Sequence, residues 1–163
     1  MTPTDYQAII AAPGFALGVR CSDDEITAID FLEPRTEMAP ATPLAAEAAR
    51  QLDAYLTDPS FVFGLPLRPS GTVFQRRVWA QIAAIPAGCT RSYGQLANDL
   101  NNAPRAVGQA CGANPFPLVV PCHRVLAANG GLGGFARQGG GFLLEVKRWL
   151  LRHEACLPDA AAR

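Results

Sequence analysis

The sequence changes in character at Pro69-Ser70-Gly71. Short apolar or alternating runs before this turn predict strands, whereas the periodic patterns and helix caps after it predict helices. The charge changes at the same point: residues 1–70 hold ten acidic and four basic residues, and residues 71–163 hold four acidic and ten basic residues. We therefore predict an α+β fold with two domains, 1–70 and 71–163.

The first domain has the pattern of a small antiparallel sheet. Its predicted strands are separated by turn-forming residues and cover residues 6–11, 15–21 and 26–32. Thr42 followed by Pro43 is typical of a helix start, and the apolar stripe after it predicts a helix that covers one face of the sheet. Residues 61–67 predict one further strand.

The second domain is predicted to be mainly helical. Two capping boxes, Thr72 with Gln75 and Ser92 with Gln95, each mark a helix start. A tight turn at residues 101–103 then leads to Pro104, which begins another short helix. Two short helices joined in this way predict a helix-turn-helix, although a plain helical hairpin fits the same pattern.

The second helix of that pair, residues 104–113, consists mostly of alanine and glycine and has one long cationic side chain, Arg105. Major-groove readout needs several long polar side chains, which this helix lacks. Small residues allow the close approach that a minor groove requires. The same composition also fits a helix packed tightly inside a bundle, so this pattern leaves both interpretations open.

Composition excludes several classes of protein. With 49% hydrophobic and 17% charged residues, the chain is expected to fold, and it contains no apolar run long enough to span a membrane and no secretory signal. We expect a cytoplasmic protein. The five cysteines are odd in number and include no C-x-x-C pair, which argues against a disulfide framework and against a metal site. The basic second domain could bind phosphates, or its charge could simply be solvated surface.

Cys122 is the candidate nucleophile. An apolar segment ending at Pro121 predicts a buried strand or extended chain that places Cys122 beside His123 and Arg124. Most single cysteines are inert, but cationic neighbours lower a thiol pKa and favour the reactive thiolate. Adjacent residues of an extended chain point to opposite sides, so His123 is expected to act through a water or a bend. A carboxylate should orient its imidazole, and the candidates are Asp99, Glu145, Glu154 and Asp159.

Pro121-Cys122-His123-Arg124-Val125 resembles the active-site signature of the O6-alkylguanine-DNA alkyltransferases. Six further motifs follow the family's order, namely G-T-x-F-Q-x-x-V-W (71–79), I-P-x-G (85–88), S-Y-x-Q-L-A (92–97), R-A-V-G (105–108), N-P (114–115) and W-L-L-x-H-E (149–154). Residues 1–70 agree only in character with the family's variable, ribonuclease-H-like N-terminal domain.

The resemblance implies a monomeric, single-turnover repair protein without a cofactor. Such a protein binds the minor groove of double-stranded DNA, flips out the alkylated guanine and moves the O6-alkyl group irreversibly to Cys122, and it accepts O4-alkylthymine as well. By the same resemblance His123 is the base acting through a water, Glu154 orients it, Tyr93 protonates the departing guanine at N3, and Asn114 braces the active-site turn.

Further residues follow from the resemblance. Arg105 would fill the gap left by the flipped base. The remaining predicted contacts are, on the DNA side, Ser92, Ala106 and Gly108, and in the guanine pocket the backbone carbonyls of Cys122 and Val125, the ring of Phe135 and the N–H of Ala136. Some relatives hold zinc in the N-terminal domain, but this chain has only Cys21 there and no histidine, so no metal is predicted. Cys89, Cys111 and Cys156 are interpreted as packing residues.

The chain departs from the family in the loop 133–142, which is a few residues longer and lacks the pocket serine. A looser gate that admits alkyl groups larger than methyl is one hypothesis, and a tolerated surface insertion is the other. Gly112 stands where relatives often have a cation, which predicts modest DNA affinity. The rival functions are a non-catalytic sensor of alkylated bases, a cysteine hydrolase that uses Cys122, His123 and Glu154, and a transcription regulator.

Overall fold

A computed structural model describes residues 5–127 and 141–156. The chain divides into two compact units, residues 1–69 and residues 70–163. A small antiparallel sheet in the first unit and helices in both make this an α+β fold, as predicted. In the part of the chain that the structure describes, no helix is both long and apolar enough to cross a membrane.

The first unit is a three-stranded meander with one helix. Strands β1 (Ala8–Ala12), β2 (Phe15–Cys21) and β3 (Ile26–Leu32) pair antiparallel in chain order. Helix α1 (Pro43–Thr57) begins as predicted, with the Thr42 side chain accepting a hydrogen bond from the N–H of the third helical residue. It packs on β1 and β2, so its apolar stripe closes the core of this unit.

The strand predicted over residues 61–67 is wrong. Only Leu67 forms a bridge, a parallel one with Ile26, whose N–H donates to the Pro66 carbonyl at 2.7 Å. Proline has no N–H to donate, so a ladder along this segment is interrupted at Pro66. Backbone hydrogen bonds of the described residues therefore join this part of the chain to β3 only at Ile26, the first residue of the strand.

The second unit is helical, as predicted. Its helices are α2 (Val73–Ala83), α3 (Tyr93–Leu100), α4 (Pro104–Gly112) and α5 (Phe142–His153). Both capping boxes form, at the starts of α2 and α3. Asn101 adopts a left-handed conformation (φ 55°) that ends α3 and turns the chain into α4. Helices α3 and α4 pack on each other and on α2, which gives the predicted helix-turn-helix.

The extended segment predicted before Cys122 is also wrong. The chain instead turns at Leu118, which has a φ of 75°, and the Val120 N–H closes this turn onto the Phe116 carbonyl at 2.8 Å. Cys122–Arg124 then form one turn of 3₁₀-helix. Since a 3₁₀-helix has three residues per turn, successive side chains point about 120° apart and not to opposite sides.

A short parallel ladder joins this turn to the helix-turn-helix. β5 (Val125–Leu126) follows the 3₁₀ turn directly and pairs with β4 (Arg91–Ser92), which leads directly into α3. The ladder holds Tyr93, the first residue of α3, near the segment that carries Cys122.

Candidate active site

A buried ion-pair network lies at the end of α5. Glu154, the residue that caps this helix, receives two hydrogen bonds from Arg124, from Nε at 2.8 Å and from Nη2 at 2.9 Å. Its Oε2 also lies 2.8 Å from His123 Nε2. Arg124 Nη1 donates to the Ile85 carbonyl at 2.6 Å. All three charged or polar side chains are buried, so the paired geometry of guanidinium and carboxylate fixes the position of Glu154.

The imidazole of His123 is oriented by this network. Because the Glu154 carboxylate accepts, Nε2 carries the proton and Nδ1 has a lone pair. Nδ1 is buried and has no hydrogen-bond partner among the described residues, although buried polar atoms nearly always have one. Burial lowers the pKa of His123, and Glu154 opposes this shift only partly. The ring is therefore neutral near pH 7, with Nδ1 as the atom that can take up a proton.

The Cys122 thiol is buried close to the end of α4. Its sulfur accepts a hydrogen bond from Asn114 Nδ2 at 3.2 Å, and the thiol donates to the Cys111 carbonyl at 3.7 Å. The pKa of Cys122 is raised well above its ordinary value by the neighbouring Cys111 side chain and by burial, while Asn114 and Lys147 lower it.

The lowering of the Cys122 pKa that cationic neighbours were expected to cause is therefore outweighed by Cys111 and by burial. Arg124 cannot supply that effect, since its guanidinium is bound to Glu154 and to the Ile85 carbonyl. The resting group is a thiol, and it needs a base to become a nucleophile.

Lys147 is a residue of the site that the sequence analysis missed. It is completely buried in α5, and its Nζ donates to the Val125 carbonyl at 2.9 Å and lies 5.9 Å from the centre of the Tyr93 ring. Burial lowers the pKa of Lys147 to about 8, while Cys111 and Cys122 raise it. The ammonium group thus contributes positive charge beside the thiol.

A sequence signal for Lys147 existed. It lies between Val146 and Leu150 on the apolar stripe of α5. A lysine at such a position is rarely buried unless a polar partner holds its ammonium group. No helix had been assigned to residues 142–153, so the stripe was not recognised.

Tyr93 and Asn114 both interact with Cys122. Tyr93 is largely buried, and burial raises its pKa, as do Cys111 and Cys122, so the phenol stays protonated and can donate. Besides its bond to Cys122, Asn114 donates to the Val120 carbonyl at 2.9 Å and accepts from the Phe116 N–H at 2.9 Å. These bonds clamp the turn that leads to Cys122.

The outer face of α4 consists of small residues except for two long side chains. Arg105 and Gln109 are both exposed and lie one turn apart, and Ala106 is half-buried. A Cβ built on Gly108 would meet no atom of the described residues within 4 Å outside the helix's own backbone. Gln109 was not singled out from the sequence, although its i+4 spacing from Arg105 was visible there.

The other predicted residues are placed as follows. The Ser92 hydroxyl accepts from the Gln95 N–H at 3.0 Å as the N-cap of α3. Val125 is buried, and its carbonyl, already bound to Lys147, keeps a second acceptor position. Phe135 and Ala136 lie outside the described residues. Over 5–127 and 141–156, no three histidine, cysteine or acidic side chains are grouped so that they could hold a metal ion.

Comparison with known proteins identifies the family. Residues 73–156 match the model of the DNA-binding domain of 6-O-methylguanine DNA methyltransferase. The chain belongs to this alkyltransferase family. The motifs quoted above lie almost entirely within the matched range, so the resemblance stated from the sequence is confirmed.

Individual members of the alkyltransferase family agree. A methylated-DNA–protein-cysteine methyltransferase of Methanosarcina acetivorans is 46% identical over 110 residues, which cover 66% of this chain and 67% of that protein. The protein of the same name from Salmonella typhimurium is 40% identical over 136 residues, covering 82% of this chain and 77% of the other. The crystal structure of Mycobacterium tuberculosis OGT in complex with DNA is 35% identical with a TM-score of 0.76, and the match covers 93% of this chain and 94% of that one.

Proposed function

We propose that this protein repairs DNA by moving the alkyl group of O6-alkylguanine irreversibly to Cys122, and that it acts on O4-alkylthymine in the same way. The proposal is based on the polarised pair His123–Glu154, in which His123 directly follows the buried Cys122 in the chain and the lone pair of its Nδ1 is left unused by the described residues. A solved relative that is bound to DNA supports the choice of macromolecule.

The reaction needs a base, a nucleophile and a proton donor. His123 takes the thiol proton through a water, since no direct hydrogen bond joins it to Cys122 among the described residues, and Glu154 stabilises the imidazolium that forms. The thiolate then attacks the alkyl carbon, the bond from that carbon to O6 breaks, and Tyr93 protonates guanine at N3. Lys147 stabilises the developing thiolate. The thioether product is not hydrolysed, so each molecule reacts once.

DNA is proposed to lie against the outer face of α4. Glycine inside a helix costs about 0.5–1 kcal/mol relative to alanine, yet no other part of the described structure comes within 4 Å of a Cβ built on Gly108. An external surface that approaches the backbone closely, such as the floor of a minor groove, explains this choice. Arg105 enters the gap left by the flipped base, and Ser92, Ala106 and Gln109 complete the contact.

The α4 proposal can be tested at Gly108. Gly108→Leu should weaken binding to a duplex, measured by fluorescence anisotropy, because the new side chain projects into the contact. Gly64→Leu is the matched control, since Gly64 also has open space but lies in the first unit. Equal affinity of the two variants would exclude α4 as the DNA face.

The central experiment is intact-protein mass spectrometry after mixing with a duplex that contains one O6-methylguanine. We expect a gain of one methyl group per protein, absent in Cys122→Ser. Binding without a gain of mass would indicate a sensor of alkylated bases, and repeated turnover that ignores DNA would indicate a hydrolase. Methyl and benzyl adducts compared in this assay would also test the pocket roles of Phe135 and Ala136 and the effect of the long loop 133–142.

We further propose a monomer in the cytoplasm. All five cysteines are free, including the half-buried Cys21 and the exposed Cys89. Free thiols are typical of proteins in a reducing compartment. The exposure of Cys89 also shows that its interpretation as a packing residue is wrong.

A further inference from the structure

A second thiol lies against the acceptor cysteine. The Cys122 thiol donates to the backbone carbonyl oxygen of Cys111 at 3.7 Å, so the two cysteines are neighbours in space. The Asn114 N–H fixes the same carbonyl at 3.2 Å, while Asn114 Nδ2 holds the Cys122 sulfur. The two cysteines are thus held next to each other by the end of α4 and the active-site turn.

The residues around Cys111 and Cys122 favour reactions of both thiols. Lys147 and Tyr93 each interact electrostatically with both Cys111 and Cys122. The positive charge of the buried Lys147 therefore acts on both sulfur atoms. Cys111 is half-buried and Cys122 is buried. A small oxidant would therefore reach Cys111 first. Alkyl transfer uses only Cys122, which leaves the second thiol without a role in repair.

We propose that Cys111 and Cys122 form a reversible disulfide site, closed by a peroxide and reopened by a thiol reductant. The Cys111 sulfur attacks hydrogen peroxide, the O–O bond breaks, and the leaving hydroxide takes up the thiol proton as water, which leaves a sulfenic acid. The Cys122 sulfur displaces the hydroxyl group of that acid, and this group leaves as a second water with the Cys122 proton. Two thiols are oxidised and one peroxide is reduced, so the step balances.

The disulfide would inactivate Cys122 reversibly and protect it from further oxidation. An oxidised Cys122 cannot accept an alkyl group, but it is also protected from irreversible oxidation to a sulfinic or sulfonic acid. Transient disulfides of this kind are the ones found in reducing compartments. The bond would also tie the C-terminal end of α4 to the active-site turn.

Peptide mapping tests the site without any assumption about alkyl transfer. The full-length protein is treated with hydrogen peroxide, remaining thiols are blocked with N-ethylmaleimide, and the digest is analysed by mass spectrometry. We expect a peptide pair that joins Cys111 to Cys122, lost on addition of dithiothreitol. Pairing that involves only Cys21, Cys89 or Cys156, or no pairing at all, would overturn the proposal, and so would equal yields from native and urea-unfolded protein.

Two variants test whether the disulfide controls methyl transfer. The transfer rate of each protein after peroxide treatment is compared with the rate of the same protein before treatment. In the parent and in Cys89→Ser, methyl transfer should fall after peroxide treatment and return after dithiothreitol. In Cys111→Ser the loss should be permanent, because Cys122 then oxidises beyond the sulfenic acid. Full recovery in Cys111→Ser would contradict the proposed protection. If the protein transfers no methyl group at all, the mapping experiment still decides whether the disulfide forms.

Discussion

Each unit of the molecule contains a network built on one arginine and one carboxylate. In the first unit, Arg20 Nε lies 3.0 Å from Asp30 Oδ2, and the Tyr6 hydroxyl donates to the same oxygen at 2.8 Å. The side chains of Arg20 and Asp30 are 18% and 36% exposed. In the second unit, the side chains of Arg124 and Glu154 are 10% and 0% exposed.

The difference in burial gives the two networks different roles. The first network, formed by Arg20, Asp30 and Tyr6, is partly exposed and is called the exposed network below. An ion pair that water reaches is screened and contributes about 0–1 kcal/mol to stability. A buried pair has lost its hydration, and this cost can cancel the attraction between the two charges. A gain in stability is therefore a weak explanation for a buried ion pair. The further partner of the carboxylate is His123 in the buried network, a side chain that can take up a proton near pH 7, and Tyr6 in the exposed one. We infer that Arg124 is retained in the core to hold Glu154 in the position that orients this imidazole.

The largest effect is expected for Glu154→Gln. The substitution leaves the buried Arg124 without its anion and should lower the free energy of unfolding by about 3 kcal/mol. It should also slow methyl transfer by about 100-fold, because His123 loses the group that stabilises its protonated form. Urea unfolding and single-turnover kinetics measure the two effects, and binding to duplex DNA should persist.

Glu145→Gln is the matched control for this prediction. Glu145 is also on α5 and pairs with Arg148, but its side chain is 65% exposed. Its stability and transfer rate should both stay close to those of the parent. If the two variants behave alike, the buried network has no special role.

The next effect is the pH dependence of stability. The pKa of His123 in the folded protein is lowered below its ordinary 6.5, chiefly by burial. The unfolded chain therefore binds more protons below this value, and the stability contributed by neutral His123 is present above pH 6.5 and is lost as the pH falls. One proton changes the free energy of unfolding by at most about 1.4 kcal/mol per pH unit.

Urea unfolding between pH 7.5 and 5.5 measures this slope. His123→Gln should reduce it, whereas His153→Gln, at the only other histidine of the chain, serves as the control. An unchanged slope in His123→Gln would show that His123 is not kept neutral by burial. The exposed network contains no histidine, so this pH response belongs to the buried one alone.

The two networks also differ in how far the sequence predicts them. Helix caps and apolar periodicity are signals within a short stretch of sequence. Ser92, Pro104 and Thr42 were therefore enough to predict the helix-turn-helix and the start of α1. The family motifs selected Cys122 and Glu154, which lie 32 positions apart in the sequence. The exposed network was not predicted, because no local pattern shows which residues face each other across strands.

Two parts of the site depend on tertiary contacts that local sequence patterns do not show in full. The turn at Leu118 depends on a left-handed backbone that a leucine rarely adopts, and it is closed by Phe116 and braced by Asn114. The burial of Lys147 depends on packing between α5 and the active-site turn. Tertiary contacts overrode the local preference in both cases.

Lys147→Met extends the comparison to a second buried cation, whose Nζ donates to the Val125 carbonyl. Methionine has a similar length and avoids the cost of burying a charge, so the free energy of unfolding should change by less than about 1.5 kcal/mol. Methyl transfer should slow by about tenfold, because the thiolate loses a nearby positive charge. Equal transfer rates for parent and variant would remove Lys147 from the mechanism.

The smallest effect is expected for Asp30→Asn in the exposed network. The side chain keeps its size and one oxygen, which can still accept from Tyr6 or Arg20, and water replaces what is lost because the carboxylate is 36% exposed. The free energy of unfolding should fall by less than about 1 kcal/mol, and added salt should shrink the difference further. Methyl transfer should be unchanged. A loss as large as that of Glu154→Gln would mean that burial does not separate the two networks, and the role inferred for Arg124 would lose its physical basis.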